Sequence, residues 1–146
     1  MKNQSNNLGI IGWREYISFP EFQVDSIKAK IDTGAKTSAL HAFNVHLVEI
    51  EGKNVVNFEI HPLQKNNHLI VKASAPFTEY REIKNSGGKV EKRPVITTSI
   101  TMGKYQWQIE LTLTNRDTMG FRMLLGRDAV KNRFLVHCGK SFLTSY

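Results

Sequence analysis

The apolar residues of this chain fall in short runs that are rich in β-branched side chains or alternate with polar ones, and the pattern recurs along most of the sequence. Alternation with a period of two is typical of strands that bury one face. A helical pattern occurs only at residues 126–134, where it predicts about two turns with Asp128 at an early position. The sequence therefore predicts an all-β or mainly β fold class, as a barrel or a sandwich. The predicted strands lie at residues 10–19, 24–31, 45–50, 55–60, 68–73, 95–102 and 106–114.

Glycine and asparagine mark the predicted chain reversals. Residues 51–54 predict a hairpin turn, residues 102–104 a tight reversal, and residues 85–88, Asn-Ser-Gly-Gly, a flexible loop tip. The surrounding stretch from Pro76 to Pro94 is polar and charged, which predicts a long loop that leaves the barrel and returns. Such loops often cover sites, and the sequence leaves open whether this one closes over a substrate like a flap.

With 146 residues, the chain has the size of one ordinary domain. We predict a flexible polar tail at residues 1–8 and a single domain at residues 9–146. No stretch has the apolar length of a signal peptide or a membrane span, so neither export by that route nor a membrane is expected. The single Cys138 cannot form an internal disulfide, and a reducing cytoplasm is the predicted location.

The formal net charge of +7 favours an acidic partner. Nucleic acid, an anionic membrane surface and a substrate rich in Asp and Glu all satisfy this condition, and charge alone does not choose among them.

One segment carries recognisable chemistry. A segment predicted to be a strand ends next to Asp32, which is followed by Thr33 and Gly34. The glycine lets another backbone come close, and the threonine can hydrogen-bond beside the acid and fix its orientation. The same loop of a second chain can therefore approach it closely. Two carboxylates about 3 Å apart share one proton and act as acid and base on a water molecule. Because the chain has one Asp-Thr-Gly, the second carboxylate must come from another subunit, which predicts a catalytic homodimer.

Two segments in this order resemble the signatures of retropepsins. Residues 31–35, Ile-Asp-Thr-Gly-Ala, resemble the active-site loop, and residues 123–128, Met-Leu-Leu-Gly-Arg-Asp, resemble the apolar strand that ends in Gly-Arg-Asp or Gly-Arg-Asn. The chain is more closely similar to the bacterial retropepsin-like aspartic endopeptidases of the RimB type, formerly labelled ATP-dependent zinc proteases and associated with the ribosomal-protein glutamate ligase. This similarity covers most of the chain and includes residues 12–15, 28–42, 93–96 and 121–127.

The resemblance implies a retropepsin-like acid-protease barrel with one short C-terminal helix, working as an obligate homodimer. It also implies an aspartic peptidase that trims a poly-glutamate tail from the C-terminus of a small-subunit ribosomal protein, a substrate that suits a basic protein. The site residues that follow are catalytic Asp32, the active-site loop residues Thr33, Gly34 and Ala35, and the structural support residues Gly126, Arg127 and Asp128.

One position departs from the viral relatives. Where their loop carries an acidic residue that can pair with the arginine of the second signature, this chain has Lys36. We hypothesise that Lys36, with Arg81 and Arg93 from the covering loop, meets substrate carboxylates instead.

Metal and nucleotide chemistry are not predicted. His41 and His46 are five apart, no His-Glu-x-x-His occurs, and the adjacent His137 and Cys138 would point to opposite faces of a strand. Residues 34–37 lack the spacing of a phosphate-binding loop. We therefore expect no metal site and no cofactor.

The alternative function is a non-catalytic basic β-barrel that binds RNA or the ribosome. Its interleaved basic and aromatic patch is not evident in the sequence, and Trp13 and Trp107 are interpreted as packing residues, so nucleic acid is the less favoured partner. A protein that has kept the fold and lost the activity is also left open.

Overall fold

The computed structural model describes residues 8–63, 69–84, 87–115 and 120–145. Outside these ranges lie residues 1–7 of the tail predicted at residues 1–8, His68 at the start of a predicted strand, and Asn85 and Ser86 of the predicted loop tip. The described residues form eleven strands, one α-helix of a single turn and one 3-10 turn at Pro20–Phe22. The elements are β1 (Gly9–Gly12), β2 (Arg14–Phe19), β3 (Val24–Asp32), β4 (Ser38–His41), β5 (Phe43–Ile50), β6 (Lys53–Ile60), β7 (Val71–Lys84), β8 (Val90–Met102), β9 (Tyr105–Thr114), β10 (Met123–Gly126), α1 (Arg127–Val130) and β11 (Phe134–His137).

Six strands close into a barrel. Their order is β2, β3, β10, β4, β9 and β8, and β2 returns to β8 through the pairing of Ser18 with Thr101. Strands β7, β6 and β5 continue the sheet outward from β8. The pairs β3 with β10 and β4 with β9 are parallel, so distant parts of the chain lie side by side at the centre of the sheet. The prediction of a β-barrel with one short C-terminal helix is confirmed.

The barrel interior is apolar because alternate residues of each strand point inward. On β3, for example, Ile27, Ala29 and Ile31 are buried while the residues between them reach the surface. Fully buried side chains from the other strands complete this core, among them Ile17, Phe19, Leu40, Ile96, Ile100, Leu111, Met123 and Leu125.

A separate sheet joins the first and last strands. β1 and β11 pair in parallel, with Ile10 opposite Leu135. Both of these side chains are more than half exposed.

The predicted tight turns are confirmed. Ile50 pairs with Lys53 across Glu51 and Gly52, which have φ values of 52° and 78°. Positive φ at both central residues is the geometry of a two-residue hairpin turn that matches the twist of its strands. The predicted reversal at residues 102–104 likewise brings Met102 opposite Tyr105.

The segment from Pro76 to Pro94 leaves the barrel and returns as predicted, but it forms two paired strands rather than a loop. β7 and β8 run through both prolines, and their ladder extends to the pair of Lys84 with Val90. From Pro76 onward the residues of β7 are exposed or half-buried, so few positions there need an apolar side chain and the alternation typical of a half-buried strand is weak.

The predicted helix at residues 126–134 is shorter than expected. α1 ends at Val130, Lys131 has an extended ψ of 142°, and Asn132 has a φ of 66°. The chain then enters β11, where the ring of Phe134 packs against Trp107 with centroids 5.3 Å apart. Packing of this aromatic residue thus takes precedence over the local helical pattern. None of the helices in the described ranges is long and apolar enough to cross a membrane.

Candidate active site

Asp32 lies at the end of β3, where the strand leaves the barrel. The alternation that buries Ile31 turns Asp32 outward, and its side chain is half-buried. Residues 33–37 then form a loop that leads into β4. The acid is therefore fixed to a rigid strand yet open to a ligand.

The Asp-Thr-Gly segment is a tight turn that orients its own carboxylate. The Gly34 N–H donates to Asp32 Oδ1 at 3.1 Å, and the Ala35 N–H donates to the Asp32 carbonyl at 3.2 Å. A Cβ on Gly34 would lie 3.3 Å from Asp32 Oδ1, a tight contact. The bond to the carboxylate comes from the backbone of Gly34, whereas the sequence suggested the hydroxyl of Thr33 for this role.

The second segment of the site, β10, lies directly beside the first. Gly126 pairs with Asp32 in the parallel ladder, and its N–H donates to Ser38 Oγ at 2.9 Å. A Cβ at Gly126 would come within 2.7 Å of the Thr37 carbonyl carbon, so only glycine fits between β10 and the loop.

The first two residues of α1 hydrogen-bond the backbone of the active-site loop. The Arg127 N–H donates to the Ala35 carbonyl at 2.7 Å, and the Asp128 N–H donates to the Lys36 carbonyl at 3.0 Å. The Arg127 side chain donates from Nη1 to the Thr33 carbonyl at 3.0 Å. Three carbonyl groups of the loop are thus satisfied by two residues that follow β10.

The predicted substrate-binding residue Arg81 lies on β7 among acidic residues. Its guanidinium contacts Glu110 Oε1 at 3.1 Å and Glu79 Oε2 at 3.3 Å. The hydrogen bond to Glu110, followed by the one to Glu79, raises the pKa of Arg81 above its ordinary value. This cation is therefore already engaged by carboxylates of its own chain.

The other two predicted substrate-binding residues differ in exposure. Arg93 is 8% exposed and donates to Glu91 Oε2 at 3.2 Å. Lys36 is exposed in the loop after Gly34. Lys36 is thus the only one of the three proposed cations that lies in the active-site loop.

Among the histidines that raised the question of zinc, His41 has other contacts. His41 is buried, its Nδ1 lies 3.1 Å from Arg122 Nη1, and its Nε2 lies 3.0 Å from the Asn115 carbonyl. A neutral imidazole with its proton on Nε2 satisfies both contacts. In the described ranges, no three His, Cys, Asp or Glu residues are close enough together to hold a metal ion.

A buried carboxylate that sequence reasoning passed over is that of Glu15. It accepts bonds from the Gly12 N–H at 2.6 Å, the Leu143 N–H at 2.9 Å, and both the N–H and the hydroxyl of Thr144 at 3.1 and 2.7 Å. Glu15 thus ties the junction of β1 and β2 to the segment after β11. The sequence signal was an acidic residue at an inward-facing position of an alternating strand.

Comparison with known proteins agrees with this architecture. The family model for RimB-like proteins, described as retropepsin-like aspartic endopeptidase RimB, matches residues 10–145. The chain is 46% identical over 138 residues to a probable alpha-L-glutamate ligase of Shewanella halifaxensis (strain HAW-EB4), covering 94% of this chain and 30% of that protein. It is 48% identical over 127 residues to a protein of the same description from Desulfotalea psychrophila (strain LSv54 / DSM 12343), covering 87% of this chain and 27% of that protein. The chain therefore spans about three-tenths of the length of these curated relatives.

A solved structure shares the fold. A Legionella pneumophila protein of unknown function superposes with a TM-score of 0.80 at 28% identity, covering 94% of this chain and 98% of that chain. The barrel, the order of the two signature segments and the family match agree with one another. The chain therefore belongs to the RimB-like family of retropepsin-like aspartic endopeptidases.

Proposed function

We propose that this chain is an aspartic endopeptidase that works as a homodimer, with Asp32 as the catalytic carboxylate of each subunit. The observation that carries this proposal is the Asp-Thr-Gly turn. In it the Gly34 N–H donates to Asp32 Oδ1, while Arg127 and Asp128 donate to carbonyl groups of the same loop. A carboxylate that is oriented by backbone groups on a rigid strand meets the positional demand of acid–base catalysis.

The proposed chemistry needs two carboxylates that share one proton. The ionised Asp32 takes a proton from a water molecule whose oxygen attacks the peptide carbonyl carbon, while the protonated Asp32 of the other subunit donates to the developing oxyanion. Proton transfer to the leaving nitrogen then allows the C–N bond to break. The products are a carboxylic acid and an amine, and the pair again holds one proton.

The proposed substrate is an acidic peptide, a C-terminal poly-glutamate tail of a small-subunit ribosomal protein. The net charge of +7 favours an acidic ligand. The relatives described as probable alpha-L-glutamate ligases also support a glutamate-rich substrate. A peptidase joined to such a ligase would encounter its glutamyl products at high effective concentration. A ribosomal substrate and the exposed free thiol of Cys138 both suit a cytoplasmic location.

The first test is cleavage of a peptide that ends in a run of glutamates, followed by mass spectrometry. We expect Asp32→Asn to lower cleavage at least about a thousandfold, because the amide can neither accept nor share the proton. Asp25→Asn is a matched control on the same strand, where the side chain is exposed and distant from the loop. Equal cleavage by wild type and Asp32→Asn would refute the assignment of Asp32.

A second test addresses the dimer. Mixing wild type with a tenfold excess of Asp32→Asn leaves most wild-type subunits in heterodimers with one functional carboxylate. We expect the activity of a fixed amount of wild type to fall to about one-tenth, as random pairing predicts by mass action. Unchanged activity after complete subunit exchange would show that each chain works alone.

A further inference from the structure

Two lysines share the outer face of β3 with Asp32. Lys28 and Lys30 precede the acid at steps of two residues, and alternate residues of a strand point to the same side. The residues between them, Ala29 and Ile31, are buried in the core. Both lysines therefore face the surface onto which Asp32 opens.

A third cation joins them from the neighbouring strand. Arg14 on β2 lies directly opposite Lys30, and Tyr16 lies opposite Lys28. Directly paired residues of an antiparallel ladder share a face, with Cβ atoms about 5 Å apart. Like charges in this arrangement are unfavourable for folding, and an anion bound between them would relieve the repulsion. We name Arg14, Lys28 and Lys30 the basic row.

The basic row is held in place by aromatic rings. The Arg14 guanidinium lies 4.7 Å from the Trp13 ring centroid and 5.0 Å from that of Phe142, and Arg14 Nε donates to Ser141 Oγ at 3.1 Å. The ammonium of Lys28 lies 5.7 Å from the Phe121 ring centroid. Ring contacts orient these cations without neutralising their charge.

The row also lacks acidic partners within the part of the chain that the structure describes. There, no Asp or Glu lies within the 4.0 Å salt-bridge distance of its charged nitrogens. Arg81, Arg93 and Lys131, by contrast, each contact a carboxylate. The row is thus a group of positive charges on the strand that carries Asp32 and on its neighbour β2, available to a negative ligand.

The spacing of the row matches an extended peptide. Two residues of a strand advance about 6.7 Å, and alternate side chains of an extended substrate repeat at the same distance. We infer that the basic row is an exosite for an acidic peptide, in which alternate carboxylates on one side of the scissile bond meet Lys30 and then Lys28, with Arg14 beside the first. This inference rests on the proposed function and identifies cations that the sequence hypothesis did not include.

Nucleic acid is the alternative ligand for the basic row, because its phosphate groups also repeat every few ångströms along the strand. Single-stranded nucleic acid binds by stacking its bases on open aromatic faces. Here each ring already contacts another ring or a cation of the row. Tyr16 stacks on Phe142 with centroids 4.6 Å apart, and Trp13 meets Phe121 edge to face at 6.0 Å. The row therefore favours carboxylates over bases.

The test measures binding separately from cleavage. A labelled hexaglutamate peptide, a hexaglutamine peptide and a single-stranded RNA hexamer are titrated by fluorescence anisotropy against the full chain carrying Asp32→Asn, with and without Lys28→Gln and Lys30→Gln. We expect the two substitutions to weaken hexaglutamate binding about tenfold and to leave hexaglutamine unchanged. The matched control is Lys53→Gln with Lys104→Gln, which removes the same charge from two exposed positions elsewhere.

Each outcome of this titration either supports or overturns the exosite. An equal loss in the control would show that net charge alone attracts the peptide and would overturn the exosite. RNA binding that falls more steeply than hexaglutamate binding would overturn it in favour of a nucleic-acid surface. Selective loss of hexaglutamate binding supports the basic row even if wild type cleaves no glutamate peptide, in which case the proposed function fails and the exosite stands.

Discussion

Replacing the buried Glu15 by alanine should destabilise the whole chain. The carboxylate is 0% exposed and accepts four hydrogen bonds, three of them from backbone N–H groups. Glu15→Ala removes the acceptor and leaves the N–H groups of Gly12, Leu143 and Thr144 facing a cavity. Buried donors without acceptors are among the few causes of large stability losses from a single substitution.

The size of the loss follows from the geometry. A hydrogen bond to a charged group contributes about 1.5–3 kcal/mol, so four bonds set an upper limit of roughly 6–12 kcal/mol. The segment at residues 141–145 lies on the surface with exposed or half-buried side chains, so it can detach and let water reach the Leu143 and Thr144 donors. Detachment limits the loss, and we expect about 4 kcal/mol, or roughly 10–15 °C in Tm.

Urea unfolding followed by tryptophan fluorescence measures this loss. Glu21→Ala is the matched control, because Glu21 is exposed and accepts one bond, from the Ser99 N–H at 2.8 Å. Its expected cost is about 1 kcal/mol. If Glu15→Ala costs no more than Glu21→Ala, then Glu15 does not hold the terminal segment and the reasoning is refuted.

Two further predictions concern the site and the hairpin arm. Gly126→Ala should lower kcat/KM about a hundredfold, because a Cβ 2.7 Å from the Thr37 carbonyl carbon displaces the active-site loop. Peptide cleavage assays measure this change, and a variant with wild-type kinetics would contradict the prediction. Arg81→Gln should lower the free energy of unfolding in urea by less than about 1 kcal/mol, because Glu79 and Glu110 are half exposed. High salt should remove this difference from wild type, and a difference that salt leaves unchanged would contradict a surface ion pair.

Much of the barrel was predictable because most of its strands bury one face. The alternation of buried Ile27, Ala29 and Ile31 with polar neighbours is visible in the sequence and gives β3 its boundaries within one residue. The short strands β4 and β11 were missed. Each has four residues, too few for a periodic signal, and β4 is mostly buried, so it shows no alternation.

The site was predictable only in part. The two signature segments identified the loop and its support, and the structure brings Gly126 beside Asp32 as their order suggested. Which cations are free is a property of three-dimensional neighbours. Arg81 contacts Glu110, which the sheet brings near from β9, and Arg93 contacts Glu91 two residues earlier on its own strand, whereas Lys30 faces Arg14. The sequence does not show that Glu110 lies beside Arg81 or that Arg14 lies opposite Lys30, because both neighbours come from distant parts of the chain.

The support of the active-site loop by α1 also affects when the site can form during synthesis. Arg127, which bonds the Thr33 carbonyl, lies 94 residues further along the chain. At a synthesis rate of 5–20 residues per second, about 5–20 s separate the two segments. A nascent chain that has exposed only Asp32 therefore has an unsupported loop. We expect the geometry around Asp32 to be assembled late, after most of the barrel has left the ribosome, which would delay the proposed peptidase activity until the barrel has formed.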